Sequence, residues 1–105
     1  WPDVVCEETT HKQAGYASRV DFRIPSQGIF VETKRVRDRH HAKTVIDEIK
    51  IDIESYVVDA SCRALYVFVF DPDHSMQDPV GVMNDLSGRR MRGRFLDVNV
   101  VIAPR

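Results

Sequence analysis

The sequence predicts an α/β sandwich with a mixed sheet that begins with an antiparallel hairpin. Three observations predict this class. An alternating run over Arg19–Ile24 is followed, across a turn, by a second apolar strand, then by an amphipathic helical stretch, and Ala64–Phe70 is almost wholly apolar. The resulting order β, β, α, β, short α, β joins the later strands of the sheet through helices. We therefore expect a central sheet flanked by helices.

The first strand alternates between apolar and polar residues, which predicts one buried face and one polar face. Its polar positions are Arg19, Asp21 and Arg23. Residues 25–28 (Pro-Ser-Gln-Gly) supply turn chemistry, and residues 29–36 are rich in β-branched and apolar side chains. The two runs are therefore expected to pair as an antiparallel hairpin.

The later elements follow from periodicity and from helix and turn signals. Residues 42–57 predict a helix because their apolar side chains fall on one broad face. The apolar run over 64–70, which is followed by Asp71, is typical of a strand covered on both faces. Residues 78–86 predict a short helix, 87–94 a Gly- and Arg-rich loop, and Phe95–Ala103 a last strand. The polar, weakly patterned residues 2–16 predict no element.

Length and composition allow one small domain. The chain has 105 residues, 43% of them hydrophobic, and begins without Met, so we expect a single domain over 1–105 excised from a longer chain. Such a size is marginal for stability, which makes an upstream domain or a second copy in a homodimer a candidate partner. No apolar run is long enough for a membrane span. Two distant cysteines without a CxxC spacing indicate neither a zinc site nor a disulfide framework, so a reducing cytoplasm is expected.

The formal net charge of -1 does not by itself indicate a nucleic-acid partner, but the basic residues are clustered. One cluster lies between Lys34 and Lys43 and contains Arg35, Arg37 and Arg39; the other contains Arg89, Arg90, Arg92 and Arg94. Either cluster taken alone can be a solvated surface loop. Arginine binds phosphate through two parallel hydrogen bonds, and its dominance here favours phosphate contact.

The hairpin brings two carboxylates together. If the turn consists of Ser26 and Gln27, Asp21 lies directly across from Glu32; a three-residue turn shifts the pairing by one. Neighbouring carboxylates repel each other unless a cation lies between them, and Mg²⁺ or Mn²⁺ would fit two such ligands. Lys34 shares the face of Glu32 and would act on an attacking water. The alternative is a solvated polar face on which Lys34 and Arg23 form ordinary cross-strand pairs.

These residues carry a resemblance to a known superfamily. The segment Val-Asp-Phe at 20–22, a short turn, and Ile-Phe-Val-Glu-Thr-Lys at 29–34 resemble the hairpin of PD-(D/E)xK nucleases. The resemblance covers most of the chain from about Gly15 onward, through the helix, the strand with the Asp-Pro pair at 71–72, and residues 78–81. Within the superfamily, the chain is similar to endonuclease domains of bacterial restriction and phage-defence proteins. Two features depart from the pattern: no Pro precedes Asp21, and a Glu on a first helix is represented only by Glu7 or Glu8 in a poorly patterned segment.

The resemblance implies a restriction-endonuclease-like fold and a metal-dependent nuclease that hydrolyses phosphodiester bonds, most naturally in DNA. It implies catalytic roles for Asp21, Glu32 and Lys34, with Asp21 and Glu32 holding Mg²⁺ or Mn²⁺. Glu48, which shares one helical stripe with Asp52 and Ser55, would support the site from outside the metal ligands. The arginines expected at the nucleic acid are Arg19, Arg23, Arg35, Arg37, Arg39, Arg89, Arg90, Arg92 and Arg94. Two alternatives stay open: a non-catalytic nucleic-acid-binding or protein-interaction module, and a regulatory domain that binds a small phosphorylated ligand.

Overall fold

The computed structural model describes residues 5–9, 19–91 and 95–104, with the backbone alone for residues 5–9 and 19–21. These residues form a six-stranded mixed sheet in the order β1-β2-β3-β4-β6-β5. The strands are β1 (Val5–Thr9), β2 (Arg19–Ile24), β3 (Ile29–Arg35), β4 (Ala64–Phe70), β5 (Gly88–Met91) and β6 (Phe95–Ala103). Helix α1 (Arg39–Val57) connects β3 to β4, and helix α2 (Pro79–Leu86) precedes β5. The predicted α/β class is confirmed.

The sheet combines both kinds of strand pairing. Strand β4 lies parallel to β3 on one side and parallel to β6 on the other. The remaining pairs, β1 with β2, β2 with β3 and β5 with β6, are antiparallel. Parallel neighbours require a crossover connection, which α1 supplies between β3 and β4. The centre of the sheet is therefore built from the most apolar strand.

The β2–β3 hairpin has the register predicted from a two-residue turn, with Asp21 paired to Glu32. The connection is a short 3₁₀ turn over Pro25–Gln27, closed by Gly28 at φ +67°. Glycine adopts this left-handed conformation at little steric cost, and an added Cβ would also lie 2.8 Å from the Arg63 side chain. The turn thus fixes which residues of the two strands face each other.

One face of the sheet packs against both helices and carries the hydrophobic core. Helix α1 buries the side chains Ala42, Val45, Ile49, Ile53 and Val57, which recur at helical spacing. They meet the alternate residues of β4 and β6 that point to the same face, among them Leu65, Val67, Val98 and Val100. Leu86 of α2 joins this cluster. We call this the covered face; the opposite face of the sheet, which carries Phe68, Phe70 and Phe95, is the open face.

Three predictions about element boundaries were wrong. No element was predicted over residues 2–16, yet β1 pairs with β2; the predicted loop over 87–94 contains β5, and residues 92–94 lie outside the described part. Both strands are at sheet edges, where backbone pairing needs no alternating apolar pattern. Helix α1 begins at Arg39 rather than at 42, because the side chain of Asp38 accepts a hydrogen bond from the backbone N–H of His41.

The part of the chain that the structure describes contains no helix long and apolar enough to cross a membrane.

Candidate active site

The site is built on strand β3, whose residues alternate between the two faces of the sheet. Glu32 and Lys34 point to the covered face, where their exposed fractions are only 1% and 7%. The register places Glu32 beside Asp21 on β2 and beside Val67 on β4. Burial of both charged residues rules out the alternative in which this strand shows a solvated polar face.

Helix α1 contributes the polar groups that meet Glu32 and Lys34. Glu48, Asp52 and Tyr56 follow one another at intervals of four residues, so they form a stripe along one side of the helix. The Tyr56 hydroxyl donates a hydrogen bond to Glu32 Oε1 at 2.9 Å. The Lys34 ammonium lies 2.8 Å from Asp52 Oδ2 and 3.8 Å from Glu48 Oε1. The helix therefore contacts both charged residues of the strand.

Packing of Tyr56 orients its hydroxyl. The Tyr56 ring meets Phe30 edge to face, with ring centroids 5.2 Å apart. Phe30 lies two residues before Glu32 on the same face of β3. The Tyr56 ring therefore packs against the same strand that carries Glu32. The hydroxyl then reaches Glu32 from an apolar, well-packed position.

Three carboxylates surround the Lys34 ammonium. Its nitrogen lies 3.8 Å from Glu32 Oε2, as well as at the distances to Asp52 and Glu48 given above. Neighbouring carboxylates repel one another, so positive charge and hydrogen-bond donors stabilise such a group.

Lys34 also keeps its hydrogen-bonding capacity. Within the described residues, its buried Nζ makes these ion pairs but no aligned hydrogen bond. An ammonium has three N–H donors and attracts anions strongly when it is screened from water. Lys34 can therefore donate to a phosphate oxygen or to a water molecule that enters the site.

A second buried carboxylate shows what a purely structural one looks like in this fold. Asp71, at the end of β4, is 2% exposed, and its two oxygens accept hydrogen bonds from the backbone N–H groups of Ser75 and Met76, each at 2.9 Å. Its charge is stabilised by the loop that it holds. Glu32 instead has a hydroxyl on one oxygen and an ammonium 3.8 Å from the other.

The donor set fits a divalent cation. Carboxylate oxygens are the ligands that Mg²⁺ and Mn²⁺ prefer, and Mg²⁺ keeps several waters while it binds one or two carboxylates and phosphate. Among the described side chains, no group of three or more His, Cys, Asp or Glu is arranged as a complete metal centre.

Comparison with known proteins decides the family. The family model REase_DpnII-MboI matches residues 1–105, the whole chain. The chain belongs to the DpnII–MboI restriction endonuclease family. No curated protein and no solved structure matched the chain. Family membership confirms the predicted nuclease resemblance, identifies the α/β sheet as a restriction-endonuclease-like fold and gives the chain the general activity of a DNA endonuclease.

The predicted DNA-binding arginines of this endonuclease differ in their surroundings. Arg37 and Arg39 are exposed where β3 leads into α1. Arg35 lies on the open face with its guanidinium 5.4 Å from the centre of the Phe70 ring, away from Lys34. Arg23 is half-buried on the covered face, 5.7 Å from the centre of the Phe30 ring. The side chain of Arg19 lies outside the described part.

The second arginine cluster is engaged with the protein itself where it is described. Arg89 lies over the Phe95 ring at 4.7 Å and pairs with Asp97 Oδ1 at 2.9 Å. Arg90 donates to the Leu86 carbonyl at 2.9 Å and so satisfies a backbone acceptor at the end of α2. Arg92 and Arg94 lie outside the described residues.

The turn between β3 and α1 is fixed by Asp38. The hydrogen bond that its side chain accepts from the backbone N–H of His41, 2.7 Å long, lowers the pKa of the Asp38 carboxyl below its ordinary value. The nearby positive charges of His40, His41 and Arg37 lower this pKa further. The cap therefore holds the start of the helix that covers the site.

Sequence reasoning placed Glu48, Asp52 and Ser55 on one stripe of α1 and singled out Glu48 from it, but it did not assign Tyr56 to the site. Glu48 lies at the rim, with 48% of its side chain exposed, whereas the side chain of Asp52 is 17% exposed and closer to Lys34. Tyr56 was counted among the apolar residues of the helix. The four-residue spacing of Glu48, Asp52 and Tyr56 was the signal that could have grouped them.

Proposed function

We propose that this chain is a Mg²⁺- or Mn²⁺-dependent endonuclease domain of the restriction or phage-defence type. It would hydrolyse phosphodiester bonds of DNA in the bacterial cytoplasm by in-line attack of water. The observation that carries the proposal is the buried Glu32–Lys34 pair beneath α1, with Asp52 and Glu48 beside the Lys34 ammonium and Asp21 in register with Glu32. An upstream domain and a second copy of the chain remain predicted partners.

Asp21 and Glu32 would hold the metal ion, because they are paired on adjacent strands and each supplies carboxylate oxygens as ligands. When bound, the ion would activate water and stabilise charge on the phosphate. Tyr56 donates to Oε1 of Glu32, which leaves Oε2 as the oxygen toward Lys34. The protein thus presents this carboxylate in a defined orientation.

Lys34 would act on the reacting phosphate. Its buried ammonium has donors that are not aligned with any acceptor of the described residues, so it can donate to a non-bridging phosphate oxygen or orient the attacking water. Negative charge that develops on the phosphate in the transition state would be stabilised there, where little water screens the interaction. Glu48, at the rim, would help to hold Lys34 from the solvent side.

DNA binding would depend on the exposed arginines next to the site. Arg37 and Arg39 follow Lys34 within five residues and are exposed, so they would contact phosphates on either side of the reacting one. Arg35, Arg89 and Arg90 make contacts within the protein, and phosphate binding by them would have to replace or extend those contacts.

The test is cleavage of supercoiled, linear and single-stranded DNA and of RNA, with Mg²⁺, with Mn²⁺ and with EDTA. We expect cleavage of DNA with either metal and none with EDTA. Asp21→Asn and Glu32→Gln should abolish cleavage, whereas Asp47→Asn, which changes an exposed carboxylate of α1, should not. A wild-type protein that binds DNA but is inactive under every condition would favour the non-catalytic module.

A further inference from the structure

Two side chains of α1 contact the two buried charged residues of β3, each from one turn of the helix. Asp52 Oδ2 lies 2.8 Å from the Lys34 ammonium, and the Tyr56 hydroxyl lies 2.9 Å from Glu32 Oε1. Neither of these α1 residues needs to touch DNA or metal to influence the reaction, because each acts on a residue that would. These are the shortest contacts that α1 makes with the two strand residues, since Glu48 lies farther from Lys34, at 3.8 Å.

Asp52 determines where the Lys34 ammonium lies. A lysine side chain is a flexible four-carbon stem, so its charge moves toward the strongest available anion. Of the three carboxylates around Nζ, Asp52 is nearest by 1.0 Å, the difference between 2.8 Å and 3.8 Å. Without the Asp52 charge, the remaining anions are Glu32 itself and the half-exposed Glu48. The ammonium would then move toward the carboxylate that it should leave free for metal.

Tyr56 determines how the Glu32 carboxylate is turned. A hydroxyl that donates to one carboxylate oxygen fixes the plane of the group and directs its other oxygen. The Tyr56 ring is itself held against Phe30, so the donor is rigid. Without the hydroxyl, Glu32 would keep its charge and its place on β3 but would lose this orientation.

Resting on the proposed function, we propose that Asp52 and Tyr56 are the positioning residues of the site. Asp52 holds the ammonium of Lys34 in the position from which it can contact the phosphate. Tyr56 holds the carboxylate of Glu32 in the orientation in which it can bind the metal ion. The two roles predict separable defects. Loss of the Tyr56 hydroxyl weakens metal binding, and high metal concentration restores the rate. Loss of the Asp52 charge lowers the rate at every metal concentration.

The first experiment compares Tyr56→Phe with Tyr66→Phe, a matched loss of a tyrosine hydroxyl on β4. Calorimetry of the protein with Mn²⁺ should give a dissociation constant about 10-fold or more higher for Tyr56→Phe. Its single-turnover rate at saturating Mn²⁺ should be within a few-fold of wild type. Tyr66→Phe should leave both quantities unchanged. Equal Mn²⁺ affinities for Tyr56→Phe and wild type would overturn the role of Tyr56.

The second experiment compares Asp52→Asn, Asp52→Glu and the control Asp47→Asn. Asp52→Asn removes the charge but keeps the shape, and its single-turnover rate at saturating Mn²⁺ should fall by roughly 10-fold or more. Asp52→Glu keeps the charge, so it should be faster than Asp52→Asn. A packing role predicts the reverse order, because Asn is isosteric and Glu is longer. That reverse order, or a rate for Asp52→Asn equal to that of Asp47→Asn, would overturn the role of Asp52.

A readout independent of metal and cleavage is the nitrogen-15 NMR signal of the Lys34 ammonium. A buried, ion-paired ammonium exchanges its protons slowly enough to be observed, so wild type and Tyr56→Phe should show this signal. Asp52→Asn should lose or strongly shift it. An unchanged signal in Asp52→Asn would contradict the inference even if the rate falls. Failure of the wild type itself to bind Mn²⁺ and to cleave would instead overturn the proposed function, and this inference with it.

Discussion

The two faces of the sheet reverse the ordinary distribution of charged and apolar residues. The covered face buries Glu32 and Lys34 among aliphatic side chains, while the open face leaves Phe68, Phe70 and Phe95 about half exposed. On the open face, Arg35 and Arg89 lie over aromatic rings. Buried charge is costly and exposed apolar area is common, so the buried charges are the stronger sign of function. The covered face therefore contains both the hydrophobic core and the candidate active site.

The largest effect should come from Lys34, a buried charged residue of the covered face. Lys34→Ala should lower the single-turnover cleavage rate by roughly 10²-fold or more, because a stabiliser of transition-state charge is lost. DNA binding in Ca²⁺ should change only a few-fold. Lys34→Arg should not restore the rate, since the guanidinium places its donors differently.

The matched control is Lys50→Ala, which removes an exposed lysine of α1. It should leave cleavage unchanged. If Lys34→Ala cleaves DNA as fast as Lys50→Ala does, the covered face has no catalytic lysine and the comparison of the two faces loses its functional meaning.

The two buried carboxylates, Asp71 and Glu32, can be compared by the effect of each on stability. Asp71 is compensated by two backbone N–H groups, so Asp71→Ala should cost roughly 2–3 kcal/mol of unfolding free energy. Glu32 is one of three carboxylates around the Lys34 ammonium, so Glu32→Gln should be at least as stable as wild type in EDTA. Urea unfolding measures both differences.

Adding a divalent metal ion should make wild type more stable than Glu32→Gln, the reverse of the order expected in EDTA. A divalent ion that binds only the folded protein raises its stability, by about 2.7 kcal/mol at a hundredfold excess over the dissociation constant. We expect this rise in wild type and in Asp71→Ala but not in Glu32→Gln. A loss of stability in Glu32→Gln with EDTA, comparable to that of Asp71→Ala, would make Glu32 a structural carboxylate.

A smaller difference should separate neighbouring residues that point to opposite faces. Val67 is fully buried on the covered face, so Val67→Ala should cost about 2 kcal/mol through lost burial and the cavity left behind. Phe68 is 46% exposed, so Phe68→Thr should cost less than about 1 kcal/mol despite its larger side chain. Thermal unfolding compares the two. A larger loss for Phe68→Thr would mean that the open face is covered in solution.

The parts of the fold that the sequence predicted are those fixed by local pattern. Alternation in β2 and the length of the turn set the register of Asp21 with Glu32, and helical periodicity located the body of α1. Edge strands β1 and β5 carry no such pattern, since their pairing is made by the backbone. The contacts of Asp52 with Lys34 and of Tyr56 with Glu32 could not be predicted, because the rotation of α1 over β3 is decided by tertiary packing, which local periodicity does not specify.

The smallest effect concerns the start of α1, on which the cover of the site depends. The pKa of Asp38 is lowered in the folded protein, so its cap contributes stability above the ordinary carboxyl value of 3.8. This contribution is lost as the pH falls from that value through the lower folded pKa. Asparagine caps helices about as well as aspartate but does not titrate in this range. Asp38→Asn should therefore match wild type closely near neutral pH and lose less stability between pH 5 and pH 2, as measured by urea unfolding. Parallel pH profiles for the two proteins would show that the charge on Asp38 does not help to hold the helix over the covered face.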